Sequence, residues 1–159
     1  MKITVLNGSP GTQNGLDDYL TGLRDRLAAG GHRVKVLTLR EMDIHYCVGC
    51  WGCWVKTPGE CVAKDDSEQV ARAILKADRV LFASPVTMGF LSALLKKTMD
   101  KLIPIIHPYM LVDQGEAHHR PRYNHYPLMS LLLEQTPGAD TEDIQIITEA
   151  FARTTLNMK

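Results

Sequence analysis

A chain of 159 residues, 45% apolar and 23% charged, has the length of one domain and enough apolar material for a layered core, which excludes two full domains. Eighteen Lys plus Arg balance eighteen Asp plus Glu, so there is no basic excess to neutralise a nucleic-acid backbone or hold an anionic membrane. Ile3 to Leu6 is too short for the apolar run of a signal peptide, roughly 7 to 15 residues, no later run approaches a bilayer span, and a soluble cytoplasmic protein is expected.

Ile3, Val5 and Leu6 predict a first strand ending at Asn7-Gly8. Leu16, Tyr19, Leu20, Leu23 and Leu27 then share one helical face until Gly30-Gly31 stops it. Val34, Val36, Leu37 and Leu39 form a second strand, and a cysteine-bearing segment follows. Asp65 with Glu68 predicts a helix start, with Val70, Ala71, Ile74 and Leu75 on the buried face. Val80 to Ala83 is a third strand, ended by Pro85; Leu91, Leu94, Leu95, Met99 and Leu102 mark a third helix. Pro104 to Tyr126 reads as an irregular stretch of about 20 residues, long enough to be functional or ordered by a partner. Leu128 to Leu133 is a fourth strand, and Ile144, Ile147, Ala150 and Phe151 a last helix opened by Asp140 or Thr141.

Near-continuous apolar strands alternating with helices require a parallel sheet covered on both faces. The economical arrangement is an α/β doubly wound sheet of order 2-1-3-4, with its ligand at the carboxyl ends of strands 1 and 3. The loops Asn7 to Gly15 and Ser84 to Phe90 meet there.

The first loop, NGSPGTQNG, leaves backbone N–H groups uncovered at a helix start, where a phosphate is favoured, and the Ser9 and Thr12 hydroxyls add donors. It has neither dinucleotide nor NTPase spacing, and the same residues also make an ordinary βα turn. In the second loop, SPVTMGF, Gly89 lets a backbone approach a planar ligand closely.

All four cysteines, Cys47, Cys50, Cys53 and Cys61, fall in one 15-residue segment with the spacing C-x2-C-x2-C-x7-C. A reducing compartment argues against a disulfide framework, and the confinement points to a metal or redox site. Three thiolates spaced by two residues wrap a compact centre that a fourth closes; a buried thiol cluster is the plainer alternative. Trp51 and Trp54 either shield such a centre or anchor a subunit contact. Further along, Glu116, His118, His119, Arg120, Arg122 and His125 suit a metal or a nicotinamide phosphate, or simply a solvated or interface loop. Lys96, Lys97 and Lys101 read as a solvated helix face, and no Ser-His-Asp or Cys-His arrangement emerges.

Together, NGSP after strand 1, C-x2-C-x2-C after strand 2, ASPVTMG after strand 3 and LLKKTMDK in helix 3 resemble the flavodoxin-like NAD(P)H-dependent FMN reductases, and in particular the iron-sulfur flavoproteins. The resemblance runs from Met1 to about Lys101 in the expected order. It implies that Ser9, Gly11, Thr12, Asn14 and Gly15 surround the FMN phosphate, that Pro85, Val86, Thr87, Met88, Gly89 and Phe90 line the flavin, and that Cys47, Cys50, Cys53 and Cys61 ligate a 4Fe-4S cluster. The chain departs from the family at Gly11, where a basic residue is usual, at Gly15, where Ser or Thr is usual, and at Thr87, often an aromatic. A loop after strand 2 starts from the same carboxyl edge as the flavin, which brings electron transfer between the centres within reach in an oligomer.

The expectation is a single flavodoxin-like domain over residues 1–159, an oxidoreductase taking a hydride from NAD(P)H onto FMN and passing electrons to a quinone, flavin or protein acceptor. Assembly as a homodimer or homotetramer is expected, without nucleic acid or membrane. A flavodoxin-type electron carrier and a zinc-stabilised interaction module on the same fold are the alternatives. The family fold has a fifth strand; here the chain stops at Lys159 after the last helix, so either further residues or a partner subunit is expected beside the fourth strand.

Overall fold

The structure, a computed structural model, describes residues 1–12, 15–113 and 115–158. In chain order the elements are β1 (Lys2–Asn7), α1 (Gly15–Ala29), β2 (Arg33–Thr38), the single-turn α2 (Gly52–Val55), α3 (Ser67–Leu75), β3 (Arg79–Thr87) and β4 (Phe90–Leu91). They are followed by α4 (Ala93–Asp100), β5 (Ile106–Asp113), β6 (Glu116–Pro121), β7 (Leu128–Glu134) and α5 (Thr141–Leu156).

The main sheet is parallel with the order β2-β1-β3-β7, the expected doubly wound arrangement. β1 pairs with strands on both sides, which is why Ile3 to Asn7 are all buried. On one face Ile3, Val5 and Ala83 cluster with Leu16 and Leu20 of α1. On the other, Leu6, Val80 and Phe82 cluster with Ile74 of α3, Leu95 of α4, and Ile147 and Phe151 of α5. Phe82 and Phe151 meet edge to face with ring centroids 5.2 Å apart, locking α5 onto the sheet.

Two expectations are corrected. Pro85 does not end β3, which continues to Thr87 because β4 turns back on it, pairing Val86 with Leu91 and Thr87 with Phe90. A proline removes one donor from a ladder but leaves its carbonyl to accept. The stretch from Pro104 to Tyr126 is not irregular either: β5 and β6 form an antiparallel hairpin closed near Gly115 at φ +82°. Its pairing shifts register between Ile106 and Met110, around Pro108, which obscured the alternation in the sequence.

Helix ends follow local chemistry. Asp140 caps α5 in a reciprocal capping box with Asp143. α3 begins at Ser67 rather than Asp65, whose carboxylate accepts from the Ser67 N–H at 3.0 Å. Among the described residues no helix is long and apolar enough to cross a membrane.

Candidate functional site

The loop after β1 is braced from below. The Gly8 N–H donates to the Ala83 carbonyl at 2.8 Å, and the Ser9 N–H to Asn7 Oδ1 at 3.0 Å. Asn7 in turn donates to Asp17 Oδ1 at 2.5 Å, and Arg40 Nη2 lies 3.1 Å from Asp17 Oδ2. Asp17 stands in the first turn of α1, where its negative charge would oppose an anion; Arg40 neutralises it and also donates to the Ser9 carbonyl at 3.4 Å. Ser9 is fully buried, with its hydroxyl 3.3 Å from the Gly11 carbonyl, while Gly11, Thr12 and Gly15 are exposed at the helix entrance. Asn14 lies outside the described residues.

In the second loop Pro85 and Val86 are buried, Gly89 and Phe90 half-buried, and Thr87 and Met88 exposed. Met88 and Gly89 make the turn in left-handed conformations, φ +51° and +74°. The two loops are joined side by side: Ser92 Oγ donates to the Gly8 carbonyl, and the Ser92 N–H donates to Ser84 Oγ at 2.9 Å. A Cβ on Gly8 would come within 2.7 Å of Leu95 Cβ, so the loop needs glycine for this close approach to α4.

The cysteine segment closes at its base. The Asp43 N–H donates to Asp66 Oδ2 and the Asp66 N–H to the Asp43 carbonyl, both at 2.8 Å, and the His45 N–H donates to Asp65 Oδ2 at 3.0 Å. Above this neck all four cysteines line one cavity of about 170 Å³, with Trp51, Asp100, Lys101 and Pro104 in its wall. Burial first, then the neighbouring Cys61, and more weakly Cys47 and Cys50, push the Cys53 thiol up against a backbone hydrogen bond that lowers it. Among the described residues no three His, Cys, Asp or Glu side chains stand close enough to hold a metal ion as placed, and Cys47 and Cys50 are exposed. Trp51, in the left-handed region at φ 55°, stacks on Trp54 at 4.8 Å, and Trp54 meets His119 at 5.2 Å. Trp54 Nε1 donates to the carbonyls of Ile103 and Ile106 at 3.2 and 3.0 Å, tying this segment to the start of β5.

Lys101 corrects the expected solvated face. Its side chain is 3% exposed, its ammonium lies 2.9 Å from the fully buried Asp65 carboxylate, and it donates to Cys61 Sγ at 3.1 Å. Burial alone would push the ammonium down, but Asp65 and Cys61 together hold it above the usual lysine value. Asp65 is held well below the usual carboxylate range, against burial, by Ser67, Lys101 and the His45 backbone. The signal was legible: Leu94, Thr98 and Lys101 share the i, i+4, i+7 stripe that faces inward, whereas Lys96 does not.

Cys61 and the loop after β1 lie at opposite ends of α4. α4 separates them, with its N-cap Ser92 against Gly8 and its C-cap Lys101 against Cys61; eight residues at the helical rise make about 12 Å. The late polar segment is bonded to its surroundings at three points. Arg153 pairs with Glu116 at 2.6 Å, the His119 N–H donates to Asn157 Oδ1 at 2.9 Å, and Arg122 Nη2 donates to the Ile106 carbonyl at 3.3 Å, fastening the hairpin to α5 and to its own base.

The chain is similar to known proteins. An iron-sulfur flavoprotein of Archaeoglobus fulgidus is 32% identical over 107 residues, covering 67% of this chain and 48% of that protein. One of Methanocaldococcus jannaschii is 29% identical over 105 residues, covering 66% of this chain and 53% of its own length. The chain thus spans about half the length of the curated relatives it matches. Among solved structures, an NAD(P)H:quinone oxidoreductase from Methanothermobacter marburgensis shares the fold with a TM-score of 0.67 at 18% identity, over 99% of this chain and 78% of that one. Residues 1–123 match the family described as NADPH-dependent FMN reductase, and the chain belongs to that family.

Proposed function

We propose that the chain is an FMN-dependent oxidoreductase that accepts a hydride from NAD(P)H and passes electrons to a quinone, flavin or protein acceptor through a 4Fe-4S cluster. The observation that carries it is the gathering of all four cysteines in one cavity at the far end of the helix whose N-cap fastens the phosphate loop.

The residues fit FMN. Gly11, Thr12 and Gly15 are exposed at the start of α1, and Arg40 neutralises Asp17 of the first turn, to which Asn7 also donates a hydrogen bond. Thr12 and the loop N–H groups would hold the phosphate, with Asn14 on the same loop; Ser9 would act through the loop's shape, since its hydroxyl is buried. Thr87, Met88, Gly89 and Phe90 would lie along the ring, with Pro85 and Val86 supporting them from the core. FMN, when bound, supplies the hydride chemistry, so the protein contributes position and electrostatics.

The donor set fits an iron-sulfur centre in chemistry: four thiols line one cavity, with Asp100 as the carboxylate in its wall and Val48, Trp51, Val62, Ile103 and Pro104 as its apolar lining. Cys47, Cys50, Cys53 and Cys61 would ligate it, the exposed Cys47 and Cys50 moving inward to do so. A cluster supplies one-electron transfer. A homodimer or homotetramer belongs to the same proposal, supported by the apolar groove of Leu131, Leu133 and Phe151 beside β7, as does a cytoplasmic location.

The test is one absorbance spectrum of anaerobically reconstituted protein with FMN and iron counted per chain, for the wild type and for Cys50→Ser. Expected are stoichiometric FMN in both and about four irons in the wild type only. Wild-type protein without stoichiometric iron would leave the cysteines structural, and protein without flavin would overturn the whole assignment.

A further inference from the structure

We propose that Lys101 is a positioning residue for Cys61, fixing its sulfur through an N–H···S hydrogen bond and raising the reduction potential of the centre that the cysteines carry. The proposal rests on those cysteines holding a cluster.

A lysine is almost never buried unless its charge is matched. Lys101 is matched by Asp65 at 2.9 Å, and both side chains are removed from water. Such a pair gives up a large desolvation energy and returns little to stability by itself. What distinguishes it is the second ammonium hydrogen bond, 3.1 Å to Cys61 Sγ. A neutral thiol is a weak acceptor, whereas an anionic sulfur takes a charge-assisted bond, so the geometry is complementary to Cys61 as a ligand thiolate.

The ammonium cannot easily turn elsewhere. Asp65 Oδ1 accepts from the Ser67 N–H at 3.0 Å and the Ser67 hydroxyl at 2.5 Å, while Oδ2 accepts from the His45 N–H at 3.0 Å. The carboxylate that orients Lys101 is therefore fixed from α3 and from the neck of the cysteine segment at once. Among the described residues no ammonium or guanidinium bonds to Cys47, Cys50 or Cys53, so one of the four sulfurs is singled out. Positive charge and hydrogen bonds at a ligand sulfur favour the reduced state of a cluster.

Wild type, Lys101→Met and the double variant Lys101→Met/Asp65→Asn are reconstituted anaerobically, and iron per chain and midpoint potential are measured by spectroscopic titration. The double variant leaves no unpaired buried charge, so it reports even if the single one does not fold. Expected is a lower midpoint in the double variant, which loses the hydrogen bond at unchanged net charge, and a still lower one in Lys101→Met, which also leaves Asp65 unpaired. Full iron with a wild-type midpoint in the double variant overturns the role of Lys101 alone. A wild type that takes up no iron overturns the cluster and this role together.

Discussion

Ser92 Oγ donates to the Gly8 carbonyl at 2.6 Å while accepting from the Leu95 N–H at 3.2 Å. One hydroxyl thus caps α4 and fastens the loop after β1 to the turn after β3. Ser92→Ala is expected to cost about 1–2 kcal/mol in urea unfolding, the usual range for a lost N-cap with a buried carbonyl left unpaired. FMN affinity, read by fluorescence titration, should fall with it. Equal stability and equal affinity would show that the two loops hold their places independently.

Gly89 carries a backbone that side-chain-bearing residues avoid, and a Cβ there would stand 2.7 Å from Asp143 Oδ1 in the capping box of α5. Gly89→Ala should therefore destabilise by about 1–3 kcal/mol through strain, and weaken flavin binding as the turn shifts. Calorimetry of the apoprotein checks the first effect and FMN titration the second. An unchanged melting temperature would count against the strained turn.

Asp65 has a folded pKa depressed below its unfolded value near 3.9, by Ser67, Lys101 and the His45 backbone acting against burial. Its contribution is present above the unfolded value and is lost as pH falls through it toward the folded one. Asp65→Asn should lower stability at pH 7 by about 3 kcal/mol, since it leaves the Lys101 ammonium buried without its partner. The variant should also lose less on acidification below about pH 4 than the wild type does. Parallel acid limbs in urea titrations at several pH values would contradict this.

Trp54→Phe keeps the stack on Trp51 but removes the donor shared by the Ile103 and Ile106 carbonyls. A loss of about 1–2 kcal/mol is expected, with faster amide exchange confined to α2 and the first residues of β5. Exchange that quickens uniformly across the sheet would show that Trp54 supports the core instead.

Much of the fold was legible because the sheet obeys simple burial. The runs Ile3 to Leu6 and Val80 to Ala83 are central strands with partners on both sides, so their apolar continuity identified them. The hairpin was not, because β5 and β6 lie outside the main sheet and bury few side chains, and Pro108 interrupts their pairing. The cysteines announced themselves by spacing, but not their place in space, which depends on α4 running from Gly8 to Cys61. Lys101 was misjudged because charge outweighed position. Asp65 was taken for a helix start, and does bond to the first residue of one, yet its carboxylate also reaches His45 and Lys101, two distant parts of the chain that no local pattern records.

The neck at Asp43 and Asp66 gives the cysteine segment a further property. Its two ends are bonded to each other, so the closure of the loop between them is settled locally, while Trp54 and Cys61 fasten that loop outward to β5 and α4. Lengthening a closed loop is inexpensive, with each doubling adding only about 0.6 kcal/mol. The stretch from Cys53 to Cys61 can therefore gain or lose residues without moving the pairing of β1 with β2 or β3. Moved to another parallel sheet, the segment would need counterparts of Lys101, Ile103 and Pro104 as well, because these wall the cysteine cavity from outside the neck.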